Sequence, residues 1–389
     1  MALPSNSPLV ELARSIGSGI AAGYADQVDN DARFPREAVT ELKNQRLLSC
    51  YVPKSLGGHG ATLTELALMC EELGKHCGAT AMVFAMHQIQ VACLVHHSLT
   101  DSFFASYLTD LAHNEHLIGS VTSEVGVGGD MRSSVCAVEL DGSSFVLNKN
   151  STTSSYGAEA DDLLVTARTS PAAPSSDQSL VLLRKGQFTM EQVGNWNPMG
   201  MRGTGSAPFK LCGRGQALQI MQDPFATISS RSMVPVSHLL WAATWVGNAS
   251  ASMARVKGFI KQQARAKPGT LPPTAIRMAE LAPNIQLLRT SYRYLLTEYE
   301  EILSNPQRHE ELSTVGYAVK MNNLKLSGSH LIVEIANKAL QICGVAGYKN
   351  DSKFAMGRIL RDSHAAALMV GNDRILNSNA NMLMILKGD

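Results

Sequence analysis

Histidine, serine and glycine, rather than cysteine or paired carboxylates, are the residues of this chain whose types and spacing suit chemistry. His238 lies in "MVPVSHLLWAATW" (233–245), where Pro235 sits near the first position of a predicted helix. That spacing puts the imidazole in the opening turn or just beyond it. A helix N-terminus disfavours imidazolium, so a neutral ring able to accept a proton near pH 7 is expected. The plainer alternative is a core histidine bonded to a backbone carbonyl. His87, in a long apolar stretch, and His364, after Arg361-Asp362, allow the same two readings: a substrate-facing ring or helix packing. Gly126, Gly128 and Gly129 in "SVTSEVGVGGDM" (120–131) either admit a ligand close to the backbone or shape a turn in which Glu124 and Asp130 are structural. The seven cysteines (50, 70, 77, 93, 136, 212 and 343) form no CxxC pair and no cysteine–histidine cluster. They read as buried free thiols of a reducing compartment, with no metal site.

These residues must be positioned by 389 residues, enough for two or three packed layers or domains. Hydrophobic residues make up 45% and charged residues 17%, the balance of a well-buried protein, and with 6% aromatics the core must rest on aliphatic side chains and Met. A formal net charge of +1 gives no electrostatic footprint for nucleic acid or an anionic membrane. No run of eighteen apolar residues and no signal-peptide pattern is present, so the expected location is the cytoplasm.

The pattern predicts a multi-domain α+β protein. Residues 1–115 read as an N-terminal helical domain: Leu9, Leu12, Ala13, Ile16 and Ile20 recur at helical spacing, Thr64 is placed to cap a helix reaching Leu73, and 80–97 is too apolar to face water. Residues 116–228 read as a middle β-barrel or sandwich domain, with short runs at 135–140, 145–148, 163–167, 180–183 and 188–192 between Gly, Ser, Asp and Pro clusters. Residues 229–389 read as a C-terminal four-helix bundle with helices over 235–265, 274–303, 311–343 and 351–386.

Within that frame, five collinear segments resemble the acyl-CoA dehydrogenase superfamily. "YVPKSLGGHGATLTELALMCEELGK" (51–75) is similar to its first loop-and-helix signature. "SVTSEVGVGGDM" and "MGMRGTGSAPFKL" (199–211) resemble the opening and closing of its β-domain, and "ALQICGVAGY" (339–348) with "RILRDSHAAALMVGND" (358–373) resembles its C-terminal flavin and active-site segment. The resemblance implies one FAD per subunit, its ring between β-domain and bundle, and a homotetramer or related dimer in which a neighbour helps hold the pyrophosphate and adenosine.

Carried over residue by residue, the resemblance puts Val121 and Thr122 at main-chain flavin contacts and Ser123 at the family's Thr hydroxyl. Where the family has Trp-Ile-Thr-Asn, Thr153 stands for the Trp and Ser155 for the Thr, so a large apolar wall beside the ring is lost. Gln341 and Gly344 match the pyrophosphate motif, although Val345 replaces its second glycine. Arg265, in "KQQARAKPGT" (261–270), is the expected phosphate ligand, a solvated helix end being its alternative. Gly129, His87, Val370 and Gly371 fall on the substrate side. The family's usual base, the Glu of Tyr-Glu-Gly-Thr, aligns with Met369-Val370-Gly371-Asn372; Val370 cannot abstract a proton, while Asn372 retains a side chain able to bond a flavin. Branches that carry the base on the first bundle helix put it at Ser237, beside His238, and this pair is the expected catalytic site.

Two functions follow from the resemblance. One is dehydrogenation of a CH–CH bond in an acyl-CoA or acyl-carrier-protein thioester, with electrons passed to an electron-transfer flavoprotein. The other is a flavin monooxygenase or oxidase fed by a flavin reductase, for which no α-proton base is needed. The end of the chain, "GNDRILNSNANMLMI" (371–385), lacks the histidine-rich segment common among monooxygenases and favours the dehydrogenase.

Overall fold

The computed structural model describes residues 7–266 and 268–386. Its N-terminal part is helical: α1 (Pro8–Ile16), α2 (Ala22–Asn30), α3 (Arg36–Asn44), α4 (Leu63–Gly74), α5 (Gly78–His97) and α6 (Ser102–Asn114), with a π-turn joining α1 to α2. The cap of α4 is Thr62, not Thr64. Its hydroxyl accepts the Glu65 N–H at 3.1 Å while the Glu65 carboxylate accepts the Thr62 N–H at 2.8 Å, a reciprocal capping box. Thr64 is drawn away by a long-range partner, its hydroxyl donating to Glu300 at 2.6 Å. Helix α5 is apolar all round and is the one helix among the described residues long and apolar enough to cross a membrane; 89% of that stretch is instead buried in protein.

The middle region holds two sheets. Strands β1 (Ile118–Val121), β4 (Asp162–Arg168) and β5 (Gln178–Leu183) form one in the order β1-β4-β5, with β1 parallel to β4. Strands β2 (Glu139–Asp141), β3 (Ser144–Ser151), β7 (Phe209–Gln216) and β6 (Phe188–Gln192) form an antiparallel sheet in the order β2-β3-β7-β6. β5 is buried along its whole length because its two faces meet different cores. Val181 and Leu183 point into the sandwich with Phe145, Leu147 and Leu211, whereas Leu180 and Leu182 join the helical core. The period of two thus places this sheet as the middle layer between sandwich and helices. The run at 135–140 yields strand only at its end, because Glu124 takes the N–H groups of Val135 (3.0 Å) and Cys136 (2.6 Å) that a ladder would need.

The C-terminal part comprises α7 (Phe225–Ile228), α8 (Val234–Ala266), α9 (Thr274–Leu303), α10 (Val315–Cys343), α11 (Val345–Tyr348), α12 (Gly357–Leu368) and α13 (Asn372–Ile385). The last bundle helix expected from the sequence is therefore two helices, broken at 369–371. The bundle joins the N-terminal domain where α4 crosses α8 at Gly74 and Gly247. A Cβ added at Gly247 would lie 2.6 Å from Glu71 O and 2.8 Å from Gly74 Cα, both backbone atoms. Gly19, by contrast, has open space around its Cβ position. Gly247→Ala is expected to cost about 1–3 kcal/mol through overpacking and to lower the melting temperature, while Gly19→Ala stays neutral or stabilises by up to about 1 kcal/mol. Equal melting temperatures for the two variants would refute this packing account.

Candidate active site between the β-domain and the bundle

The β-domain docks on α12 and α13 through contacts that leave almost no slack. Met201 N–H donates to Asp362 at 2.6 Å, and a Cβ on Gly200 would sit 2.1 Å from Arg361 O. A Cβ on Gly129 would sit 2.0 Å from the Arg374 guanidinium of α13. Gly129 therefore lies beneath the guanidinium tip of an arginine, at φ +77°, a backbone conformation that disfavours any other residue.

On the β-domain side, Val121 is buried and paired with Val165, while β1 remains an edge strand with one side free of ladder bonds. Thr122 and Ser120 share a hydroxyl contact at 3.1 Å. The Ser123 hydroxyl donates to Thr153 O at 2.6 Å and accepts Thr153 N–H at 3.0 Å, so it fastens the two segments together. Thr153 is exposed. Ser155 is half-buried and bonded to Ser206 at 2.9 Å, which in turn meets Thr204 at 2.9 Å. The strip of hydroxyls is real, but much of its bonding capacity is spent within the protein.

On the bundle side, Val370 has φ +46°, a left-handed conformation that costs a β-branched residue about 1–3 kcal/mol. Lys325 of α10, fully buried, explains how it persists: its Nζ donates to Asn372 Oδ1 at 2.6 Å and to Val370 O at 3.3 Å. Asn372 donates in turn to Ser329 at 3.0 Å and meets His330 Nε2 at 3.2 Å, so its amide is committed to protein partners. Gly371 caps α13. Burial lowers the Lys325 ammonium to about 8.

His238 faces the same helix. Its Nδ1 meets Met321 O at 3.0 Å. A carbonyl only accepts, so Nδ1 carries the hydrogen and Nε2 holds the lone pair of the neutral ring. Burial first, then the nearby Lys325, push this imidazole down to about 4, against the Met321 bond. The cause differs from that expected, since the helix starts at Phe225 and runs through a π-turn into α8, leaving His238 well inside it. Ser237 donates to Met233 O at 2.5 Å, a bond within its own helix. Trp241 packs 5.8 Å from the His238 ring, and its buried Nε1 meets no acceptor among the described residues.

His87 lies elsewhere. Its Nε2 meets Leu48 O at 2.8 Å and its Nδ1 accepts Ile118 N–H at 3.0 Å, so both ring nitrogens serve the backbone and none is free for a substrate. Lys325, Trp241 and Arg374 were missed in the sequence. Lys325 had a signal: Met321, Lys325, Gly328 and Ile332 share a buried face of α10, and a lysine at a core position of an apolar stripe is an anomaly.

Two depressions flank this region. A cleft of about 310 Å³ is lined by Asp130, Arg132, Arg374, Asn377 and Asn381. A groove of about 600 Å³ on α10 and α12 is lined by Ser329, His330, Lys338, Gln341 and His364. The groove's amide and imidazole groups suit a pyrophosphate, although Glu334 also lines it and holds the Lys338 ammonium at 2.6 Å. The edge of β1 with Thr153 and Ser155 suits the polar rim of a flavin ring, so the residues present fit FAD, with Gln341 and His364 as the groove's uncommitted donors among the described residues. Gly344, at the end of α10 with φ +55° and ψ −138°, requires glycine for its backbone. Arg265 is exposed near the end of α8.

Comparison with known proteins agrees with the fold. The acyl-CoA dehydrogenase N-terminal domain matches residues 8–115 and the acyl-CoA dehydrogenase C-terminal domain residues 231–383. A short-chain-specific acyl-CoA dehydrogenase of Clostridium acetobutylicum is 20% identical over 368 residues, covering 94% of each chain. Butyryl-CoA dehydrogenase from Megasphaera elsdenii superposes with a TM-score of 0.82 at 19% identity, covering 97% of each chain. FMN-bound TdsC from Paenibacillus sp. A11-2, a dibenzothiophene monooxygenase, superposes with a TM-score of 0.83 at 16% identity and the same coverage. The chain belongs to the acyl-CoA dehydrogenase family and is a flavoprotein oxidoreductase, with FAD the cofactor of that family.

Proposed function

We propose that this enzyme oxidises a CH–CH bond of an acyl thioester, carried by CoA or an acyl-carrier protein, losing the α-hydrogen as a proton and the β-hydrogen as hydride. Bound FAD supplies the hydride acceptor. The observation that carries the reading is the cleft where Gly129 gives way to Arg374. Arg374 with Asn377 and Asn381 forms a donor set suited to the phosphates of CoA or a phosphopantetheine arm, with Arg132 held at the same cleft by Asp130 at 3.2 Å. His238 is the proton acceptor in this scheme, its tautomer set by Met321 so that Nε2 presents the lone pair. Ser237, tied to its own helix, lines the site without a free proton to give.

The same residues support a second reading. Val370 brings no carboxylate, and an imidazole near 4 is a weak acceptor. A flavin monooxygenase or oxidase needs no α-proton base and would draw electrons from a flavin reductase, whereas the dehydrogenase passes them to an electron-transfer flavoprotein. Apolar side chains left bare on the bundle, Leu368 (78% exposed) and Met384 (87%) among them, support a homo-oligomer, either tetramer or dimer. The cysteines are all free; six are buried but Cys212, on the solvent side of β7, is exposed, contrary to expectation. Their being unpaired supports a reducing cytoplasm, and the near-neutral charge supports neither nucleic acid nor membrane as partner.

Anaerobic mixing of the FAD-loaded enzyme with a panel of acyl-CoAs is expected to bleach the flavin's visible absorbance. Failure of every thioester to do so, together with oxygenation of a substrate by the reduced enzyme in air, overturns the dehydrogenase assignment. His238→Ala is expected to slow that reduction by about 10²–10⁴-fold, and Ser237→Ala to leave it within a few-fold. Because the acceptor is active when unprotonated and the His238 ring is held down to about 4, the wild-type reduction rate should show no loss from this group between pH 8 and 6, falling only as pH approaches 4. A stopped-flow profile with its acid limb near the ordinary histidine value would remove His238 from the role.

A further inference from the structure

Lys325 is a cation without a counter-charge. Its side chain is fully buried on α10, and the only groups its Nζ meets among the described residues are two neutral acceptors, Asn372 Oδ1 at 2.6 Å and Val370 O at 3.3 Å. Burying a lysine in this way is unfavourable unless its bonds hold something in place. Both acceptors belong to one turn, the break between α12 and α13, where Val370 adopts φ +46°. Asn372 passes the restraint on to Ser329 and His330, one turn further along the same helix as Lys325. A single side chain therefore clamps both ends of the turn against α10.

We propose that Lys325 is the positioning residue of the site: by holding the Val370 carbonyl and the Asn372 amide it imposes the left-handed turn, and thereby sets where residue 370 and the start of α13 stand relative to substrate. The catalytic consequence rests on the reading of the site given above; the structural one does not. In this role Lys325 acts through the backbone and the side chain it holds, Val370 O and Asn372 Oδ1.

Lys325→Met keeps the length of the side chain and removes its donors. Amide hydrogen exchange of the cofactor-free protein is expected to quicken at least tenfold across 369–374 and to stay unchanged in α5 and the β-domain. Asn372→Ala, at a half-buried position, should quicken the same segment and serves if Lys325→Met does not fold, as judged by its melting transition. The decisive variant is Lys325→Met with Val370→Gly. Glycine takes φ +46° without steric strain, so the double variant should recover most of the wild-type protection and at least tenfold of the flavin-reduction rate lost in Lys325→Met, with the recovery in kcat rather than KM. Unchanged exchange at 369–374 in both single variants overturns the clamp. Lost activity that glycine does not restore, despite restored protection, overturns the catalytic consequence and makes Lys325 a participant in proton transfer instead. If no thioester reduces even the wild-type enzyme, the functional reading falls while the exchange results still decide the clamp.

Discussion

The buried Asp362 carboxylate is the point on which the arrangement of the three parts depends. It accepts the Met201 N–H of the β-domain from its place on α12, and its neighbour Arg361 forms an ion pair with Asp29 of α2. One dipeptide thus ties the N-terminal helices, the β-domain and the bundle together. Burial raises the Asp362 carboxyl to about 6 despite the nearby Arg358, so the bond is made at a cost in desolvation. What the contact secures is distance: Gly200 lies against Arg361 O with no room for a side chain. With that junction fixed, the β-domain can approach α13 closely enough for Gly129 to lie beneath Arg374, and the cleft acquires a floor.

The site itself lies where regular structure fails. A helix continuing from α12 into α13 would satisfy its own backbone and leave nothing for Lys325 to bind. Breaking it at 369–371 turns the Val370 carbonyl and the Asn372 side-chain oxygen toward the buried lysine, which donates to both. Its charge then reaches further, contributing to the low basicity of His238 across the α8–α10 contact. Burial lowers the basicity of both groups, and the lysine's charge adds to the effect on the histidine. That electrostatic setting distinguishes this pocket from one built around a glutamate base.

Packing around the site follows the same economy of residues that serve two neighbours. β5 gives alternate side chains to the sandwich and to the helical core. The hydroxyls of Ser123 and Ser155 knit β-domain segments to each other. α5 is coated by protein on all sides and contributes rigidity rather than a surface, which is why His87, at its centre, ends as a brace between Leu48 and Ile118.

The sequence by itself determined the three-part order, the sites of most helices and strands, the family and the absence of a glutamate at 370. These depend on short-range signals, namely apolar periods, turn residues and collinear motifs, each contained within a few tens of residues. The tertiary structure alone decided which polar groups are free. Thr64 lost its predicted capping role to Glu300, 236 positions away, and Val135 and Cys136 gave their ladder bonds to Glu124. His238 proved to be controlled by burial first, then by Met321 and Lys325, rather than by a helix end. Lys325 acquired its place only once the α12–α13 break brought Val370 and Asn372 beneath it. A hydrogen-bond partner or a desolvation cost is a property of what folding brings alongside a residue, and no local pattern encodes that.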